Sequence, residues 1–180
     1  MSSDEDSGLA YELDPLHGYV PSAATPNRDL LANVRHRVGL EGAKAGAAGS
    51  ARHAPWSEPL RVRPGDTVHL TLDWRGLDYA EESYTIFVQL IDEANRTIVA
   101  LDYTPLGGAA PTHLWIPKWL PGQRYKDPYQ LTIPQDLAPG NYLVEVGLYE
   151  MVGKRRLHIS DEAGNLAGDR YILGRVVVEQ

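Results

Sequence analysis

Asp136-Leu137-Ala138-Pro139-Gly140-Asn141-Tyr142-Leu143-Val144-Glu145-Val146-Gly147-Leu148-Tyr149 is a Pro-Gly turn feeding a segment whose side chains alternate between two faces. Tyr142, Val144, Val146 and Leu148 share one face; Leu143, Glu145, Gly147 and Tyr149 share the other. The motif recurs at Arg63-Pro64-Gly65-Asp66, ahead of residues 67–74, where Val68, Leu70, Leu72 and Trp74 point inward and His69, Thr71 and Asp73 outward. Alternation of period two after rigid turns predicts an all-β sandwich. Tyr142, just after Leu137-Ala138-Pro139-Gly140, resembles the tyrosine corner of Greek-key sandwiches, a structural role.

The same reading extends along the chain. Residues 34–40 read as a first strand, and the Gly- and Ala-rich stretch 41–52 as a flexible loop. Residues 84–92 are apolar on both faces, with Tyr84, Ile86, Val88 and Leu90 against Phe87 and Ile91, as in a central strand. Residues 93–96 make a hairpin turn and 97–103 the returning strand. Residues 104–129 carry Pro105, Pro111, Pro117, Pro121 and Pro128 and predict an irregular middle, followed by a short strand at 130–133. A turn at 151–154, a return over 155–160 and a Gly/Asp/Asn loop over 160–170 lead to a closing strand at 171–179, with Ile172, Val176 and Val178 on one face. The sum is about eight strands joined by Pro/Gly turns. Residues 1–33, with Pro15, Pro21 and Pro26 and no sustained period, read as an N-terminal arm or linker, and 34–180 as the β-sandwich domain.

A chain of 180 residues is long enough to bury a core without staples. It has no cysteine, which excludes disulfides and thiolate metal sites. Its net charge of −7 argues against nucleic acid or an anionic membrane surface as partner, since both require a positive field. No apolar run reaches the roughly 18 residues of a spanning helix, so no direct membrane insertion by this chain is expected. The acidic start Met1-Ser2-Ser3-Asp4-Glu5-Asp6 does not read as a signal peptide.

No motif spells out a reaction. There is no Gly-x-Ser-x-Gly, and the six histidines show neither i, i+2 nor i, i+4 pairing, although the fold is free to bring together a pair such as His69 and His158. Asp92, Asp102, Asp127 and Glu150 are acids of the type glycosidases use, but Asp102 and Asp127 are expected to accept hydrogen bonds from loop amides, Arg155 or Arg156. The segment 161–169 offers Asp161, Asn165 and Asp169 as oxygen ligands for a structural calcium, without the spacing of an EF-hand. No other cofactor is expected. Trp115, Trp119, Tyr125 and Tyr129 cluster in one Pro-rich segment, where rigid aromatic rings suit stacking on sugars. The alternative is that Trp115 or Trp119 plugs the open end of the sandwich while the tyrosines cover strand edges.

Pro64-Gly65-Asp66 with Leu70, Leu72 and Trp74, then Tyr84 to Asp92, Asp102 with Pro105 and Gly107, Pro111-Thr112, Pro121-Gly122, Asp127, Tyr129, Leu131, Leu137 to Tyr149, Arg156-Leu157 and Asp169 stand in an order that resembles a known family. This is the β-sandwich domain found C-terminal to membrane glycosyltransferase-like proteins of Chloroflexi-type bacteria, proteins similar to dolichyl-phosphate-mannose mannosyltransferases. The resemblance implies an immunoglobulin-like or carbohydrate-binding-module-like antiparallel sandwich. It further implies a non-catalytic accessory module, extracytoplasmic and membrane-associated through a segment outside this chain. The partner would be a glycan or the membrane-embedded part of a parent protein. The chain departs from the family pattern where Trp115 and Trp119, separated by Ile116-Pro117-Lys118, both stand in place of one tryptophan. A carbohydrate-binding module using 115–129 and a glycoside-processing enzyme remain the alternative functions.

Overall fold

A computed structural model describes residues 29–47, 54–79, 84–103, 121–150, 152–160 and 164–180. The described residues hold no helix; they form two sheets with a shared core, a β-sandwich. The strands are β1 (Ala32–Val34), β2 (Val38–Ala47), β3 (Ala54–Pro55), β4 (Leu60–Val62), β5 (Thr67–Gly76), β6 (Tyr84–Ile91), β7 (Thr97–Tyr103), β8 (Arg124–Thr132), β9 (Gly140–Glu150), β10 (Ile159–Ser160), β11 (Leu166–Gly168) and β12 (Tyr171–Val178). One sheet runs β11-β10-β1-β2-β5-β8 with β3 beside β2; the other runs β4-β12-β9-β6-β7. Every pairing is antiparallel except β4 on β12.

The alternation read in β5 and β9 is the core. Val68, Leu70, Leu72 and Trp74 from one sheet face Tyr142, Val144, Val146 and Leu148 from the other, all buried. Both Pro-Gly turns carry the chain between sheets. Gly65, with φ +90, lets the chain pass from β4 to β5, and Asp66 fastens the corner by accepting the Arg63 amide at 2.8 Å. The second turn lifts the chain from β8 to β9, and Tyr142 fastens it by donating its hydroxyl to the Ala138 carbonyl at 2.8 Å. That bond is the tyrosine corner anticipated from the spacing.

Several expectations are corrected. The predicted loop 41–52 is strand as far as Ala47, because β2 pairs with β5 along its length; Ala43 and Ala45 face the core, and a bulge after Leu40 restores the parity. Residues 34–40 are not one strand but the close of β1, a turn and the start of β2. The short strand expected at 130–133 begins at Arg124. Pro128 is tolerated inside it because β8 is the edge of its sheet, where a missing amide donor breaks no ladder on the open side. Part of the loop 160–170 is β11. In β12 a bulge between Ile172 and Gly174 flips the faces, so Leu173 is buried in place of Ile172, which is 40% exposed. The count exceeds eight because five of the strands are only two or three residues long. Residues 29–33 belong to the sandwich instead of the arm, with Leu30 and Ala32 buried; residues 1–28 lie outside the described part.

Candidate functional site

The residues singled out in the sequence do not assemble into one site among the described residues. Trp115, Trp119 and Asp161 lie outside the described part. Tyr129 is 3% exposed in the core, and its hydroxyl donates to Asp127 Oδ2 at 2.7 Å. Its ring therefore has no free face for a sugar, because residues 125, 127, 129 and 131 share the inward parity of β8. Tyr125, at the end of that row, is half-buried and donates to Gln123 Oε1 at 2.6 Å; burial raises its hydroxyl pKa. A tryptophan that the sequence reading did not single out, Trp56, lies against β12, its indole occupying the space a Cβ on Gly174 would need. It packs against the core from between β3 and β4.

Asp92, Asp102 and Asp127 stand at separate places in the sandwich. Asp92 closes the β6–β7 hairpin: its carboxylate accepts the Ala94 and Arg96 amides at 2.9 and 2.8 Å and the Arg96 Nε at 2.7 Å. Asp102 is exposed on the edge strand β7. Asp127 is fully buried and accepts the Tyr129 hydroxyl. Asp169, half-exposed, lies 3.9 Å from the Arg156 guanidinium. Asn165 is exposed. Among the described residues no three His, Asp or Glu side chains come together as a metal site.

The arrangement with chemical character lies elsewhere, at one end of the sandwich. The β1–β2 turn reverses over Arg35 and His36, both left-handed with φ 49 and 57, and closes with the Arg37 amide on the Val34 carbonyl at 3.0 Å. Two successive positive φ angles, as in a type I′ turn, normally fall to Asn-Gly; here two bulky residues take them at a steric cost. Buried Asn33 supports it, accepting the His36 amide at 2.8 Å. The segment after β9 runs alongside: the Arg35 amide donates to the His158 carbonyl at 3.2 Å, and the Leu157 amide to Leu148 at 2.8 Å. Arg35, Arg155, Arg156, Leu157 and His158 then line a cleft of about 90 Å³.

Electrostatics in this cleft are lopsided. Arg35 and Arg155 converge on one oxygen of Glu150, at 3.3 and 2.6 Å. Their guanidinium groups hold the Glu150 carboxyl below the usual carboxylate range, Arg155 foremost. Arg156 lies 4.2 Å over the Phe87 ring, donates to Gln89 Oε1 at 3.2 Å and reaches Glu145 at 3.5 Å. Glu145 is 1% exposed and is also gripped by Arg170 at 2.7 Å, whose other arm holds Asn95 at 3.0 Å. Four guanidinium groups therefore stand against the carboxylates of Glu145, Glu150 and Asp169, and Lys154 adds a further cation 5.1 Å over Tyr149. In a chain of net charge −7 this end is locally basic. Sequence reasoning passed over it, although Arg35-His36-Arg37 and Lys154-Arg155-Arg156 are visible basic triplets.

No protein-family model matches the chain. No curated protein matches it either. Among solved structures, the sporulation control protein Spo0M of Bacillus subtilis superposes with a TM-score of 0.37 at 18% identity. The match covers 77% of this chain and 50% of that one, so the chain spans half the length of that structure.

Proposed function

We propose that this sandwich is a non-catalytic interaction module that recognises an anionic partner through its basic end. The carrying observation is the cleft where Arg35, Arg155, Arg156 and His158 meet. The non-catalytic reading is supported by the fate of the buried acids. Asp78 is bound by Arg37, Asp127 by Tyr129, and Glu145 by Arg156 and Arg170, all contacts that build the fold. On the resemblance drawn from the sequence, the module is an extracytoplasmic accessory to a membrane-associated, glycosyltransferase-like parent. An acidic glycan or an anionic surface of that parent suits the cleft.

Affinity electrophoresis through gels containing acidic or neutral polysaccharides tests this reading, alongside hydrolysis assays on the same polymers. Retardation by the acidic polymers that fades with added salt is the expected result. Retardation by neutral polymers alone would move binding to the aromatic segment 115–129. Turnover of any polymer would overturn the non-catalytic reading.

A further inference from the structure

We infer that the cleft between the β1–β2 turn and the segment after β9 is a binding site for a single tetrahedral oxyanion, a phosphate group above all. The inference rests on the interaction-module reading and goes on to name the group recognised. Three observations carry it.

First, the cationic side chains approach from separate directions. Arg35 comes from the turn of one sheet, and Arg155 and Arg156 from the exit of β9 in the other. A carboxylate is planar and one guanidinium fork can satisfy it. A phosphate group presents three oxygens out of plane and draws on several forks together. Second, the size is right. At about 90 Å³ the cleft falls well below the roughly 300 to 1,000 Å³ of sites that enclose a drug-sized molecule, so it suits one charged group with its carrier outside. Third, the cations are accessible yet held. The side chains of Arg35, Arg155 and Arg156 are 45%, 71% and 34% exposed, and Arg156 is fixed from behind by Phe87, Gln89 and Glu145. The left-handed backbone at Arg35 and His36 adds weight, since such strain gathers at binding sites.

Glu150 has a particular part in this site. Its carboxylate is the anion that Arg35 and Arg155 share. An incoming phosphate competes with it for the same donors, so Glu150 lowers the affinity.

The test is a titration of the protein, labelled with nitrogen-15, followed by amide shifts at low ionic strength. The probes are inorganic phosphate, glycerol 3-phosphate, sulfate and acetate. Phosphate is expected to give saturable shifts at Arg35, Arg155, Leu157 and His158, with acetate at least tenfold weaker. Sulfate is expected to resemble phosphate. Tighter binding of glycerol 3-phosphate assigns the group to an ester, and tighter binding of inorganic phosphate to the free ion. Arg155→Gln and, separately, Arg35→Gln should each weaken phosphate about tenfold, one removed charge-assisted contact being worth roughly that factor. Glu150→Gln should tighten it severalfold. Glu179→Gln, which removes a distant surface acid paired with Arg61, should leave it unchanged. Dispersed spectra of each variant verify that it is folded. Phosphate shifts that fail to saturate, acetate binding equal to phosphate, or a Glu150→Gln variant no tighter than the parent would overturn the proposal. Retardation by acidic polymers would still stand in those cases, so failure here is separable from failure of the module reading.

Discussion

Glu145 is a buried acid that ties two arginines to the sheet. It is 1% exposed on the face of β9 turned away from the main core, and two guanidinium groups depend on it. Glu145→Ala removes the carboxylate that Arg156 and Arg170 share while leaving both one-third exposed with Gln89 and Asn95 as partners, and should cost about 1 to 3 kcal/mol, read as a lower urea midpoint. Gly147, two residues on, stands where the Phe87 ring and the Asp169 backbone leave no room for a methyl group. Gly147→Ala should therefore destabilise by about 1 to 3 kcal/mol in the same assay. Acid acts on other residues. Asp92 is held below the usual carboxylate range, first by the Arg96 amide and then by its guanidinium; Asp29 is lowered chiefly by Arg75 and Glu150 chiefly by Arg155. A carboxyl depressed by folding contributes stability above its unfolded pKa and loses it as pH falls through the folded one. The urea midpoint should hold steady from neutral pH to about 5 and fall below about 4, less steeply in Asp92→Asn.

At the scale of elements, the β1–β2 turn carries the clearest conflict between local preference and use. Replacing Arg35-His36 by Asn-Gly gives the type I′ turn residues that prefer positive φ, and should stabilise the protein by about 1 kcal/mol in chemical denaturation. The same double variant should lose the anion. The tyrosine corner runs the opposite way: Tyr142→Phe drops one hydroxyl bond and should cost about 1 kcal/mol. Legibility from sequence followed the same division. β5, β6 and β9 were plain because large side chains alternate in them. β2 was not, because Gly and Ala have weak strand preference and its identity comes from the neighbour it pairs with. β12 misled over Ile172 because a bulge changes parity without leaving a mark in composition. Pro128 misled because only topology tells an edge strand from a central one.

For the whole molecule, one core joins both sheets, with Trp74 within it and Trp56 closing a side. Unfolding followed by tryptophan fluorescence and by far-ultraviolet circular dichroism should therefore give superimposable curves. The sandwich itself could be read from the chain because it depends on local alternation. The basic cleft could not. Its two triplets are more than 115 positions apart, the separation between Arg35 and Glu150, and they meet only through the pairing of β1 with β10. Tyr129 illustrates the converse: an aromatic that looked available was committed to the interior by its parity with Leu131.

The chain changes layer between β9 and β10, and Arg35 and Arg155 consequently belong to opposite leaves of the sandwich while gripping the same glutamate. An oxyanion seated between them is a latch across the seam. Pulling the leaves apart must break it before the interior is wetted, so a bound ligand should raise the force of mechanical rupture as well as the melting temperature.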